Sequence, residues 1–91
     1  RIVTADLYGN ILATRVVPWQ TDHKLFLVRV RDAIRALTAP IAGNRLLGVG
    51  VSLPGAIDRA TGRVIAAVNL GWFDVEVGSI LSEAVSTNFY Y

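Results

Sequence analysis

The chain has 91 residues, 53% of them hydrophobic, with nine Lys and Arg against seven Asp and Glu, one His and no Cys. Without Cys there is neither a disulfide nor a thiolate metal site, and the longest apolar runs fall far short of the roughly 20 residues that span a bilayer. A net charge of +2 with Arg scattered along the chain makes no basic patch, so nucleic-acid binding by this piece is not expected.

Residues 2–6 alternate apolar with small or polar groups and predict a strand. Tyr8-Gly9-Asn10 follows with residue types that tolerate positive φ, so a second, antiparallel strand over 11–17 folds back and stops at Pro18, which has no N–H for a sheet ladder. Asp6, at the entry to this turn, fits an Asx-type turn better than a nucleotide-site carboxylate. Thr21 and Asp22 are candidate helix caps, and beyond them Phe26, Leu27, Val30, Ala33, Ile34 and Leu37 recur at helical spacing, with Lys24, Arg29, Arg31, Asp32 and Arg35 filling the other face. The helix is expected to end near Thr38, because Pro40 disfavours helical geometry at Ala39, and Gly43-Asn44 then opens a loop. A strand over 46–53 returns across the first sheet, with the helix as its crossover. Pro54-Gly55 cuts that strand, 58–62 form a polar turn and 63–67 a further strand. A short helix starting at Asp74 or Ser79 carries Val77, Ile80, Leu81 and Val85. The expected order is ββαββα, in the α/β class.

Side chains able to do chemistry are sparse. His23, at the start of the helix, has no nucleophile or metal partner near it in sequence and reads as a surface or capping imidazole. The acidic residues are scattered without a paired-carboxylate motif, and Gly48-Val49-Gly50 lacks the Lys-Ser/Thr and helix that a phosphate loop requires. The stretch 48–72 is the most informative. Val49, Val51 and Leu53 alternate with Gly48, Gly50 and Ser52, and Pro54-Gly55 ends the strand at its carboxyl end, where open α/β sheets bind ligands. A plain turn between two strands is the competing reading. The absence of Met, an Arg1 that reads as strand and the terminal Phe89-Tyr90-Tyr91 lead to the expectation of a piece of a longer, cytoplasmic protein with no membrane contact.

The glycine-alternating strand, Pro54-Gly55, Ile57-Asp58, Thr61-Gly62, the strand over 64–67 and Asn69-Leu70-Gly71-Trp72 followed by Asp74-Val75 form an ordered string. That string resembles the ROK family (repressor, open reading frame, kinase) of sugar-responsive repressors and sugar kinases. Asp6-Leu7-Tyr8-Gly9-Asn10-Ile11-Leu12-Ala13 is similar to the family's hairpin after its phosphate-binding strand, so the resemblance covers nearly all of residues 1–85. It departs at residues 86–91, where the family enters a strand leading to its catalytic aspartate.

The resemblance implies a partial amino-terminal lobe of an actin-like, ribonuclease H-like ATPase domain over residues 1–91, with the phosphate-binding strand before Arg1 and the catalytic segment after Tyr91. It implies sugar contact at Gly55, Ala56 and Asn69, with no catalytic, cofactor or metal residue in this piece. Asn69 keeps an alternative as a turn residue stabilising its own backbone, and Trp72 reads as an apolar anchor for its loop in preference to a stacking platform. The function implied is part of a sugar-responsive transcriptional regulator, binding a sugar or sugar phosphate, homo-oligomeric, and reaching DNA only through a separate upstream domain. The alternatives are part of an ATP-dependent sugar kinase, which would bring ATP with Mg and a structural Zn in the longer protein, or a non-enzymatic interaction fragment.

Overall fold

The computed structural model describes residues 1–41 and 45–91. The expected Gly43-Asn44 loop lies outside the described residues. Strands β1 (Ile2–Ala5) and β2 (Ile11–Arg15) form an antiparallel hairpin. Its turn is built by Asp6, whose Oδ1 accepts the backbone N–H groups of Tyr8 and Asn10, both at 2.9 Å, while Asn10 Nδ2 donates to Oδ2 at 3.0 Å. These donors stabilise the charged carboxylate, the Asn10 side-chain amide most of all, and hold its pKa below the ordinary aspartate value. The register runs from Ile2 opposite Arg15 to Thr4 opposite Ala13, then slips to Ala5 opposite Ile11, which leaves Leu12 as the extra residue of a bulge.

Helix α1 (His23–Thr38) starts on an Asp22 cap that accepts from the N–H groups of Lys24 at 3.0 Å and Leu25 at 3.2 Å. Thr38 is buried, and its hydroxyl is satisfied by donating to the Ile34 carbonyl at 2.7 Å. A single 3₁₀ turn over Ala39–Ile41 follows, and Ala39, against the expectation that Pro40 would push it out of helical geometry, keeps φ −53° and ψ −43° with its N–H donating to the Arg35 carbonyl.

 

The apolar stripe of α1 packs on a second layer. Strands β4 (Ala56–Asp58), β5 (Arg63–Ala67) and β6 (Trp72–Glu76) make an antiparallel sheet in that order, and the short helix α2 (Val77–Leu81) follows β6 without a break. Leu27 and Ile34 of α1 share one core with Val64, Ala67, Trp72, Val75, Val77, Leu81 and Ala84. Strict alternation would put Val64 and Ala67 on opposite faces, yet both are buried, as are their partners Val75 and Trp72. The change of face falls at Asp74, whose φ of +54° breaks the strand geometry of β6 between the two pairs. Gly78 lets α2 close on the β4–β5 turn: its N–H donates to the Gly62 carbonyl at 3.0 Å, and a Cβ there would run into the Thr61 carbonyl oxygen.

The third sheet departs from expectation. Strand β3 covers only Val49–Gly50 and pairs in parallel with β7 (Phe89–Tyr90), so the predicted strand over 46–53 is not hydrogen-bonded into the β1–β2 sheet. The aromatic tail, read in the sequence as a departure, supplies that partner strand. Residues 56–58 and 72–76 are strands as well, which makes the observed order ββαββββαβ in place of ββαββα. The single helix expected from Asp74 or Ser79 begins at Val77, because Asp74 is held in β6 and its carboxylate pairs with Arg63 at 2.8 Å.

Candidate functional site

Gly55 adopts φ +81°, and a Cβ there would strike the Ala66 carbonyl oxygen and stand 2.9 Å from the Ala67 Cα. The backbone of residue 55 therefore lies directly against the end of β5. Ala56, next in sequence, faces Ala66, and Ala66 faces Phe73, so the three side chains form one row across the sheet. Asn69 sits in the 3₁₀ turn Val68–Leu70 that leaves β5, a turn closed by the Gly71 N–H donating to the Val68 carbonyl at 3.1 Å, with no side-chain hydrogen bond at its start. Gly71, at φ +69°, takes the left-handed position that ends this turn.

The structure thus gathers Gly55, Ala56 and Asn69 at one end of the β4–β5–β6 sheet, all three exposed. Exposed Val68 and Phe73 flank them with apolar surface, Phe73 at 63%. Such an arrangement offers main-chain groups and one amide beside an aromatic ring, which suits a hydroxyl-rich ligand with an apolar face. Phe73 had no signal of its own in the sequence, because only the strand register shows that it shares a row with Ala56.

Trp72 is 5% exposed and does anchor its loop: its indole stacks on Trp19 with centroids 5.7 Å apart and planes 19° from parallel. His23 lies 6.2 Å from the same ring and Phe26 6.4 Å, so the imidazole belongs to an aromatic cluster at the start of α1. The Trp72 Nε1–H is buried with no hydrogen-bond partner.

A separate feature is an open groove of about 390 Å³ between β1 and β3, floored by the apolar face of α1. Every residue from Gly48 to Leu53 lines it, so the lining does not separate Val49, Val51 and Leu53 from the residues between them, and Gly55, Ala56 and Asn69 are not part of it. Among the described residues no group of three His, Cys, Asp or Glu side chains comes close enough to hold a metal ion, and no helix is long and apolar enough to cross a membrane.

No family model matches the chain. It is 35% identical over 85 residues to a transcriptional regulator of Mycobacterium tuberculosis, covering 92% of this chain and 19% of that protein. It is 39% identical over 81 residues to a putative xylose repressor of a Caldicellulosiruptor species, covering 81% of this chain and 20% of the relative. A xylose repressor of Caldicellulosiruptor bescii is 35% identical over 52 residues, 57% of this chain and 13% of that protein. The chain therefore spans about a fifth or less of the length of these relatives, and over that span it is similar to transcriptional regulators.

Proposed function

We propose that this chain is part of the sugar-sensing domain of a ROK-type transcriptional regulator, with Gly55, Ala56 and Asn69 contributing to a sugar cleft. The observation that carries the reading is the similarity to proteins named transcriptional regulator and xylose repressor, whose matched segments span most of this chain. The gathering of the three residues at one sheet end supports it. The fold assigned to the longer protein is an actin-like lobe, of which this chain forms the amino-terminal part. DNA contact belongs to a separate domain, and the longer protein is cytoplasmic and homo-oligomeric.

Binding in such a cleft rests on the Asn69 amide, which both donates to and accepts from hydroxyls, and on main-chain groups at Gly55 and Ala56. Calorimetry on the longer protein with a panel of pentoses and hexoses, xylose included, tests this. Asn69→Ala is expected to weaken sugar binding by about 1–3 kcal/mol while leaving thermal stability nearly unchanged. Equal affinity for the variant and the parent would return Asn69 to plain turn duty. Release of operator DNA by the sugar marks a regulator, whereas ATP consumption with sugar would assign the longer protein to the kinase class.

A further inference from the structure

Phe73 is a large aromatic side chain that the fold does not use. Its strand neighbours Trp72 and Val75 are buried, whereas Phe73 is 63% exposed and belongs neither to the core nor to the hydrophobic side chains packed against it. The strand register fixes what lies beside it. Ala56 pairs with Ala66 and Ala66 with Phe73, and residues directly opposite one another present their side chains to the same face of a sheet. The row therefore reads small, small, large: two methyl groups and then a ring. Neighbouring strands lie about 4.8 Å apart, so about 10 Å of sheet separates the Ala56 and Phe73 backbones, with the Ala66 methyl as the row's one side chain between them. This step lies at the start of β4, the end of β5 and the start of β6, the same end at which Gly55 and Asn69 present main-chain groups and an amide.

An aromatic face beside hydrogen-bonding groups suits a ring that is apolar on its face and polar at its rim. A pyranose with all its ring hydroxyls equatorial is such a ring, since both faces then carry axial C–H groups alone. An axial hydroxyl places a polar oxygen on one face, and pressed against an aromatic ring that oxygen loses its water without gaining a hydrogen bond. We propose that Phe73 is a specificity-determining platform of the sugar cleft: one face of the sugar ring lies against it, Asn69 and the main chain of Gly55 and Ala56 hold the rim, and all-equatorial pyranoses are selected over epimers with an axial hydroxyl on the stacked face. This rests on the sugar-binding reading of Gly55, Ala56 and Asn69. A contact between copies of the chain fits the surface less well. The exposed apolar side chains at this sheet end are Phe73 and Val68, followed along β6 by Asp74, ion-paired to Arg63 at 2.8 Å, and by exposed Glu76. That is a surface of ligand size, far from the roughly 20–30 residues a side of a stable interface.

Calorimetry on the longer protein tests it with two all-equatorial sugars, glucose and xylose, each beside its C3 epimer (allose, ribose) and its C4 epimer (galactose, arabinose). Hydroxyls at C3 and C4 become axial on opposite faces of the ring, so the epimer that binds worse reports which face is stacked. The parent is expected to discriminate against one epimer class. Phe73→Ala is expected to weaken binding of the all-equatorial sugar by about 5–10-fold and to lose most of that discrimination, while Phe73→Tyr, which keeps the flat ring, retains both. Thermal unfolding confirms that the variants are folded, as the exposure of Phe73 leads one to expect. If Asn69→Ala weakens binding while Phe73→Ala changes neither affinity nor epimer ratio, the cleft stands and the platform is overturned. Equal weakening for all epimers would overturn the specificity role as well. If the parent binds neither all-equatorial sugar, or both variants bind as the parent does, the sugar-binding reading falls together with the proposal. A change in sedimentation of Phe73→Ala with sugar binding intact would overturn it by assigning the ring to a contact between copies.

Discussion

At Gly55 the absence of a side chain is required by β5 before any ligand is considered, because a Cβ would enter the Ala66 carbonyl. Gly55→Val is therefore expected to destabilise the fold by more than about 3 kcal/mol, combining overpacking with a β-branched residue at positive φ. Thermal unfolding that moved by only a degree or two would contradict this. The substitution is for that reason a poor probe of sugar contact, and Asn69→Ala the better one. Asp6 gives a pH-dependent signature at the same scale. Its folded pKa is lowered, so its contribution to the hairpin is fully present above the ordinary aspartate pKa and is lost as pH falls through the lowered folded value. A carboxyl resonance for Asp6 that titrates below those of unperturbed aspartates is the expected observation, and Asn10→Ala should move it back up. Tyr91 shows the opposite sign. Partial burial raises its phenol pKa, so the stability linked to it is present below the ordinary tyrosine value and is lost as pH rises through the folded one.

Among the elements, α1 was legible from both ends because its signals are local. The Asp22 carboxylate reaches N–H groups two and three residues ahead, and Pro40 sits just past the last helical residue. Asp22→Ala is expected to cost about 1 kcal/mol, measured by denaturant midpoint at constant slope. Leu27→Ala, which empties a site 2% exposed, is expected to cost about 2–5 kcal/mol. If the two losses came out equal, α1 would owe its stability to its cap and not to its buried stripe. Strand β6 was missed because Gly71, Asp74 and Ser79 carry turn and cap chemistry that outweighed the short apolar alternation of Trp72 to Val75. In the fold Asp74 absorbs its positive φ inside the strand and pairs with Arg63.

For the molecule as a whole, unpaired edges and exposed apolar side chains set its behaviour in isolation. Leu7 and Tyr8 at the hairpin tip, together with Val68 and Phe73 at the sheet end, are largely exposed, and among the described residues β1 and β3 each pair with a strand on one edge alone. The isolated 91-residue chain is expected to self-associate, seen as a sedimentation coefficient that rises with concentration. A monomer over a wide concentration range would show that the free edges are protected within one chain.

The sequence by itself determined the features whose partners lie within about four residues: the Asx turn at Asp6, the capped start of α1, its end near Thr38 and the left-handed glycine at 9. Such contacts form with little loop closure and need no knowledge of the rest of the chain. It also marked Gly55, Ala56 and Asn69 through their family pattern, without showing that Ala66 and Ala67 fix Gly55 or that Phe73 stands in line with Ala56. Only the tertiary structure decided those relations, together with the pairing of β3 to a strand some 40 residues later and the open groove beside β1. Each depends on which strand edges meet across long stretches of chain, and residue spacing carries no term for that choice.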